Sequence, residues 1–342
     1  MKIWFDILTP KQYLFFEYFV SKLRKQHKIV CTSRKYEQVN GIEKFGSINP
    51  IIVGKHGGKN NLNKLLASLD RSKLLTKKIE KWSPNLLISF CSPEASRVAY
   101  GLGIPHIAFS DSPQATAVMK LSLPYVTKLL IPWIIPKKDF KRFSIDSKNI
   151  IQYRAIDAGV IIKNYKNYKK QKLEDKKIIL IRPEELEAAY ITKKSETIKI
   201  IKKIVKDFPD ERKIVLSRYK DQSKNLKKIF GNNISLLSKP INGKELLNNI
   251  DCFVGSGGTM TAESALLGIP TISLNSVPNR IEDFLVKKRI IFRSDNPNRI
   301  SSEIQKVLNN PQIIKKKKEK AKKLVVSFED PYQVLLKTMK SL

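Results

Sequence analysis

Short apolar runs alternate with amphipathic stretches along the whole of this 342-residue chain. Strands separated by helices pair in parallel, and the helices then cover both faces of the sheet. In the first half the predicted strands are Lys2–Leu8, Lys28–Ser33, Asn49–Gly54, Asn85–Phe90, His106–Ser110 and Lys128–Trp133, with helical periodicity over Gln12–Lys25 and Asn61–Lys81. The second half repeats the alternation, with strands at Lys177–Arg182, Arg212–Arg218, Ile234–Ser238, Asp251–Gly255, Pro270–Asn275 and Arg289–Arg293. Helical patterns intervene there at Lys193–Asp207, Gln222–Phe230, Gly243–Asn249, Thr261–Leu267 and Arg280–Lys287. The polar, charged segment centred on Lys163–Lys170 breaks the pattern and reads as a linker. The expectation is an α/β protein of two doubly wound domains, residues 1–158 and 177–330, joined by a linker over 159–176. A last helical pattern, 331–342, is expected to cross back to the first domain. Doubly wound sheets bind ligands at the C-terminal ends of their strands, and two in tandem are expected to face a shared cleft.

Lys and Arg number 65 against 31 Asp and Glu, a formal charge of +34. General lysine richness accounts for this, or an anionic partner does: nucleic acid, acidic lipid or a phosphorylated substrate. Nucleic acid is disfavoured, because the lysines are spread over many helices and no RNP-like aromatics, zinc spacing or helix-turn-helix pattern accompanies them. The longest apolar runs, such as Leu129–Pro136, fall far short of the ~20 residues a membrane span needs. The opening Met1–Leu8 reads as a buried strand, not a signal peptide. Cys31, Cys91 and Cys252 have no paired spacing, which argues against a disulfide framework or a zinc site. These features together point to a cytoplasmic protein.

The sharpest local signal is Asp251–Thr271. It reads as a strand, the turn Gly255-Ser256-Gly257-Gly258, a short helix opening at Thr259-Met260, Gly268 to end it and Pro270 to open the next strand. Glycines let the backbone turn tightly and approach a ligand without a Cβ in the way. A helix opening directly after them aims free N–H groups and the positive end of its dipole at an anion, most naturally a diphosphate. Ser256, Thr259 and Thr261 can add hydroxyl donors. The same turn also serves as a plain strand-to-helix connection. Glu263 either favours the helix N-terminus electrostatically or grips the two hydroxyls of a ribose.

This Gly255–Pro270 run resembles the donor-binding motif of glycosyltransferases with two Rossmann-like domains, the GT-B architecture. It is also similar to the non-hydrolysing UDP-N-acetylglucosamine 2-epimerases, which carry a Ser-Gly-Gly turn at this place. The whole chain resembles a mostly archaeal family often labelled predicted glycosyltransferase. The matching pieces are Trp4–Gln12, Gly54–Lys59, Ser92-Pro93-Glu94, Gly101–Pro105, Asp111-Ser112-Pro113 and Gly257–Met260. The resemblance implies a UDP-sugar-type donor, with Ser256–Thr259 on its diphosphate and Glu263 on its ribose. The chain departs from the epimerases where their paired glutamates become Thr261-Ala262, and from the closer family where Gln114 follows Asp111-Ser112-Pro113.

The first domain supplies the reactive candidates, each just after a predicted strand. In Thr9-Pro10-Lys11-Gln12, a lysine at a helix start opposes the dipole, which reads as a ligand-facing Lys11, with Gln12, or as a merely solvated lysine. Lys55-His56-Gly57-Gly58-Lys59 offers a second anion cradle, and His56 is the best placed of three histidines for acid–base work. His27 and His106 look structural. Ser92-Pro93-Glu94 is either ordinary helix-start chemistry or a binding serine beside a catalytic glutamate. Asp111 is either a cap or the general base of an inverting transferase, with Glu94 and His56 behind it. In the second domain Arg182 and Arg218 end successive strands and can neutralise a departing diphosphate. No Asp-x-Asp pair follows a strand, so neither a metal nor another cofactor is expected.

The favoured function is transfer of a sugar from a nucleotide diphosphate to an acceptor. Epimerisation or hydrolysis of the same donor stands as the alternative, and anion binding without catalysis as the third. The stretch Met119–Arg142 mixes Lys137, Lys138, Lys141 and Arg142 with Leu121, Trp133 and Phe140. It reads as core with solvated lysines, or as a peripheral contact with an anionic membrane.

Overall fold

The computed structural model describes residues 1–35, 48–58, 60–163, 176–183, 197–217, 220–237, 243–274 and 279–342. They form two compact units, Met1–Val160 with Glu329–Leu342, and Ile161–Phe328. The predicted linker 159–176 lies for the most part outside the described residues.

In the first unit seven strands build one parallel sheet: β1 (Lys2–Asp6), β2 (Lys28–Lys35), β3 (Ile51–Lys55), β4 (Leu86–Ser89), β5 (His106–Phe109), β6 (Lys128–Pro132) and β7 (Ile150–Tyr153). Their order is β3-β2-β1-β4-β5-β6-β7, so the winding reverses between β1 and β4. The crossovers are α1 (Pro10–Leu23), α2 (Asn61–Trp82), α3 (Pro93–Gly101), α4 (Thr116–Ser122) and α5 (Lys138–Lys141), and α6 (Asp157–Lys163) follows the last strand. Every residue of the central strands β4 and β5 is buried, as expected of parallel strands covered on both faces. The edge strand β3 instead leaves Ile51 and Ile52 exposed. β7 is the strand that periodicity misses: at the opposite edge it buries only Ile150 and Tyr153, and its apolar run is two residues long.

The second unit repeats the plan with β8 (Ile178–Arg182), β9 (Arg212–Leu216), β10 (Ser235–Leu237), β11 (Cys252–Gly255), β12 (Thr271–Ser273) and β13 (Ile291–Arg293), in the order β10-β9-β8-β11-β12-β13. Its helices are α7 (Thr197–Asp207), α8 (Lys220–Phe230), α9 (Gly243–Asn248), α10 (Thr259–Leu266), α11 (Arg280–Lys287), α12 (Pro297–Leu308) and α13 (Pro311–Val326). Ile200, Ile201 and Ile204 of α7 and Ile300, Ile304 and Val307 of α12 pack on the apolar strands β8, β9 and β11. The chain ends on α14 (Pro331–Lys340), which belongs to the first unit. Asp330 accepts from the Tyr18 hydroxyl of α1, Tyr332 meets Phe19 edge-on, and Leu335 is fully buried.

Most of the apolar part of Met119–Arg142 is core, with Tyr125, Trp133 and Ile134 half-buried. Met119, Leu123, Leu129 and Phe140 join one buried cluster, while Lys137 donates to the Ser147 carbonyl and Arg142 to that of Pro113. Of its large apolar residues Leu121 alone is exposed, so this stretch offers no continuous membrane face. Among the described residues no helix is long and apolar enough to cross a membrane.

Gly268 ends α10 at φ +80°, and a Cβ there would lie 2.6 Å from the Lys318 Cα of α13. Both the left-handed backbone and the backbone contact oppose a side chain. Gly268→Ala is expected to cost about 2–4 kcal/mol of stability. Urea unfolding with an unchanged midpoint would show that α10 and α13 do not pack this closely.

Candidate functional site

Six side chains from four strand ends converge in the first unit. Lys11 lies in the first turn of α1, after β1. Its Nζ is 2.5 Å from Asp111 Oδ2, after β5, and 2.7 Å from Asp157 Oδ2, which opens α6 after β7. The ammonium also sits 5.1 Å from the centroid of Phe90, after β4. The Tyr153 hydroxyl donates to Asp157 Oδ1 at 2.6 Å, and the Ser112 hydroxyl donates to Asp111 Oδ1 at 2.8 Å. Exposure separates the two acids: Asp157 is 1% exposed, Asp111 13% and Lys11 21%.

One cation between two carboxylates leaves a surplus negative charge in a buried place, and the groups divide the cost unequally. Burial pulls the Lys11 ammonium down, but Asp111 and Asp157 more than offset it and hold the lysine charged. Burial raises the Asp111 carboxyl, yet Lys11 outweighs burial and keeps the acid below its ordinary range. Burial also raises Asp157; Lys11 lowers it, Asp111 raises it further, and the result is about 6. Asp157 Oδ2 meets the Lys11 ammonium at 2.7 Å, while its Oδ1 accepts from the Tyr153 hydroxyl. The cluster thus holds an ionised, part-exposed carboxylate beside an acid that titrates near neutrality. Asp157 and Tyr153 were not legible as site residues, because β7, which places both, is too short to announce itself.

The other candidates of this unit have framework contacts. Thr9 caps α1 by accepting from Gln12 N–H at 3.4 Å, and Gln12 Oε1 returns the favour to Leu8 N–H at 2.7 Å. Ser92 caps α3. Glu94 Oε2 lies 3.2 Å from Arg71 Nη1, and Arg71 Nη2 lies 2.6 Å from Asp6 Oδ1, all three side chains buried. This ion triad gives Glu94 a contact inside the fold. His56 accepts from Gly58 N–H on Nδ1 at 3.1 Å, which turns the imidazole back onto its own loop. Gly57 answers a packing need: a Cβ would stand 2.4 Å from the Asn63 carbonyl of α2. Gly58, at φ +72°, faces open space. His106 is buried against Ser89, and burial pushes its imidazole down to about 3, so it stays neutral.

In the second unit the glycine loop leaves β11 at the point where the winding reverses, and Gly255 is in register with Arg182 at the end of neighbouring β8. Gly257 and Gly258 have φ of +96° and +92°, conformations that side chains oppose. Gly258 caps α10 without a side-chain hydrogen bond. A Cβ at Gly255 would strike Phe253 and the Thr261 hydroxyl. Ser256 and Glu263 are buried, whereas Thr259 and Met260 are half-buried. Arg218 lies outside the described residues. Among the described residues no group of three or more His, Cys, Asp or Glu side chains is placed to hold a metal ion.

The Lys11 cluster generates a pH expectation. Asp157 titrates at about 6 in the fold against 3.8 when unperturbed, so its neutral form is the one folding favours. Its contribution to stability is complete below its unperturbed value and is lost as pH rises through about 6. Asp111, lowered by Lys11, contributes in the opposite sense, above its unperturbed value. Asp157→Asn should therefore flatten the fall in stability between mildly acidic and neutral pH. Parallel profiles for the two proteins in denaturant titrations would disprove it.

Solved structures share this two-sheet fold over nearly its full length. The UDP-GlcNAc 2-epimerase of Methanocaldococcus jannaschii, in complex with UDP-GlcNAc and UDP, superposes with a TM-score of 0.69 at 16% identity, covering 91% of this chain and 94% of its own. The spinosyn rhamnosyltransferase complexed with spinosyn aglycone superposes at 0.61 and 12% identity, covering 99% and 100%. In sequence, an uncharacterized protein of Methanocaldococcus jannaschii is 28% identical over 311 residues, 86% of this chain and 88% of that protein. The family model described as "Protein of unknown function (DUF354)" matches residues 1–341, and the chain belongs to that family.

Proposed function

We propose that the chain transfers a sugar from a nucleotide diphosphate to an acceptor hydroxyl, with Asp111 as the general base. The observation that carries this reading is the Lys11–Asp111–Asp157 cluster: an ionised, part-exposed carboxylate fixed at the C-terminal edge of a doubly wound sheet. Support for the donor class comes from the loop Gly255–Met260, where glycines with positive φ precede a helix N-terminus. The M. jannaschii epimerase of the same fold holds UDP-GlcNAc and UDP, which supports a UDP-sugar.

In this reading Ser256–Thr259 and the α10 N-terminus hold the diphosphate, Glu263 the ribose, and Arg182 the charge that develops on the leaving group. The acceptor proton passes to Asp111 as the acceptor oxygen bonds to the anomeric carbon. The bond from that carbon to the diphosphate breaks, and its electron pair leaves with the phosphate oxygen. Lys11 keeps Asp111 ionised and oriented for this step.

One observation favours a second reading. Asp111 and Asp157 offer a base and an acid around one lysine, a pair suited to removing and returning a proton on the donor alone. Incubating the protein with UDP-GlcNAc in heavy water separates the readings. Deuterium in the sugar ring marks epimerisation, whereas UDP release that requires an added acceptor marks transfer.

Asp111→Asn should reduce turnover by about 10²–10⁴-fold while calorimetry finds UDP affinity unchanged. Full turnover in that variant would remove Asp111 from the chemistry. Glu263→Ala should weaken UDP by about 1–3 kcal/mol, and Gly258→Phe should abolish its binding. Unchanged UDP affinity in both variants would place the nucleotide elsewhere.

A further inference from the structure

Helix α2 carries two apolar lines on opposite sides. Ala67, Leu75 and Ile79, with the ion-paired Arg71, form the buried line toward the sheet. Leu62, Leu65, Leu66 and Leu69 form the other, and they are 63%, 57%, 50% and 58% exposed. At about 100° per residue these four leucines fall within one arc facing directly away from the core. The outer face of a helix packed on a sheet is ordinarily polar. Single exposed leucines are commonplace, but four at helical spacing make a continuous stripe. Lys73 and Lys77 continue the same line, and Lys64, Lys78 and Lys81 are exposed beside it, against Asp70 and Glu80.

We propose that this face of α2 is a membrane-docking surface that inserts its leucines into the interface of an anionic bilayer. Charge complementarity selects the occupant. A chain of net charge +34 repels a second copy of itself and is drawn to an anionic surface. Size argues in the same direction: eight residues of helix cover a strip roughly 12 Å by 10 Å, far short of the ~800 Å² per side of a stable protein interface. Protruding leucines need no matching groove in acyl chains, and lysines along the same helix are the usual companions of such a stripe. α2 opens after β3 and the loop His56–Gly58, so the leucines lie at the edge of the sheet that also carries Lys11 and Asp111. Docking through α2 would bring that edge to the bilayer, which suits an acceptor carried on a lipid; only this last step rests on the proposed reaction.

The test is co-sedimentation of the full chain with vesicles of phosphatidylcholine alone or with 30% phosphatidylglycerol (about one lipid in three), without any sugar substrate. The wild type should partition at least tenfold more strongly onto the anionic vesicles and be released as salt is raised. L65Q/L69Q should lose at least tenfold of that binding at low salt, with its melting temperature little changed because both leucines are more than half exposed. A separate reporter is Leu66→Cys carrying an environment-sensitive fluorophore, feasible because Cys31, Cys91 and Cys252 are all buried. Its emission should shift to the blue on anionic vesicles. Wild-type binding that is absent, that is insensitive to lipid charge, or that survives L65Q/L69Q would overturn the proposal. So would a concentration-dependent dimer in ultracentrifugation that L65Q/L69Q abolishes, since the occupant would then be a second copy.

Discussion

Arg71 is the residue on which the first unit hangs. From one position on α2 its guanidinium reaches the end of β1 through Asp6, the backbone of β3 through the Val53 carbonyl, and the start of α3 through Glu94. Asp6 in turn accepts from Thr32 on β2, which accepts from the Trp4 indole. Removing one partner from a buried ion group of this kind leaves uncompensated charge, on the scale of about 3–5 kcal/mol. The triad fixes where α2 lies on the sheet and hence which of its sides meets solvent. The outward leucines are thus the counterpart of an inward arginine.

A second buried charge group, around Lys11, differs in having one member at the surface. Arg71 is enclosed with both its acids. Lys11 and Asp111 keep part of their surface open, whereas Asp157 and Tyr153 are closed beneath them. The same chemical device, a cation between two carboxylates, stabilises the framework in one place and sets protonation states in the other. What separates the two is depth below the strand ends.

The parallel architecture was legible because central strands are apolar on both faces, and the glycine turn was legible because positive φ demands glycine. Twelve predicted strands have counterparts among the thirteen observed, and the missing one, β7, is a short edge strand. That omission had a cost beyond the fold, because β7 carries Tyr153 and leads to Asp157. Lys11 and Asp111 stood out individually, one for opposing a helix dipole and the other for following a strand. Their contact was invisible, because they meet over a separation of a hundred residues. Glu94 looked reactive since its partner, Arg71, sits on a helix whose inner face otherwise reads as ordinary core. In Met119–Arg142 aromatics and lysines mix in a way that reads as a membrane signal, but buried packing there claims Met119, Leu123, Leu129 and Phe140. Helical periodicity over Asn61–Lys81 announces the helix but not its outer leucines, since two opposing lines blur the period.

The return of Glu329–Leu342 to the first unit has a consequence for synthesis. The second unit is continuous, Ile161–Phe328, and all of it leaves the ribosome before α14 does. Domains made in order usually fold from the N-terminus forward. Here the unit begun first receives Leu335 and the partner of Tyr18 only after the later unit is whole. On a translating ribosome the α1 surface around Phe19 and Tyr18 stays without its α14 partners until that helix arrives. That interval is when a chaperone would find the most to hold.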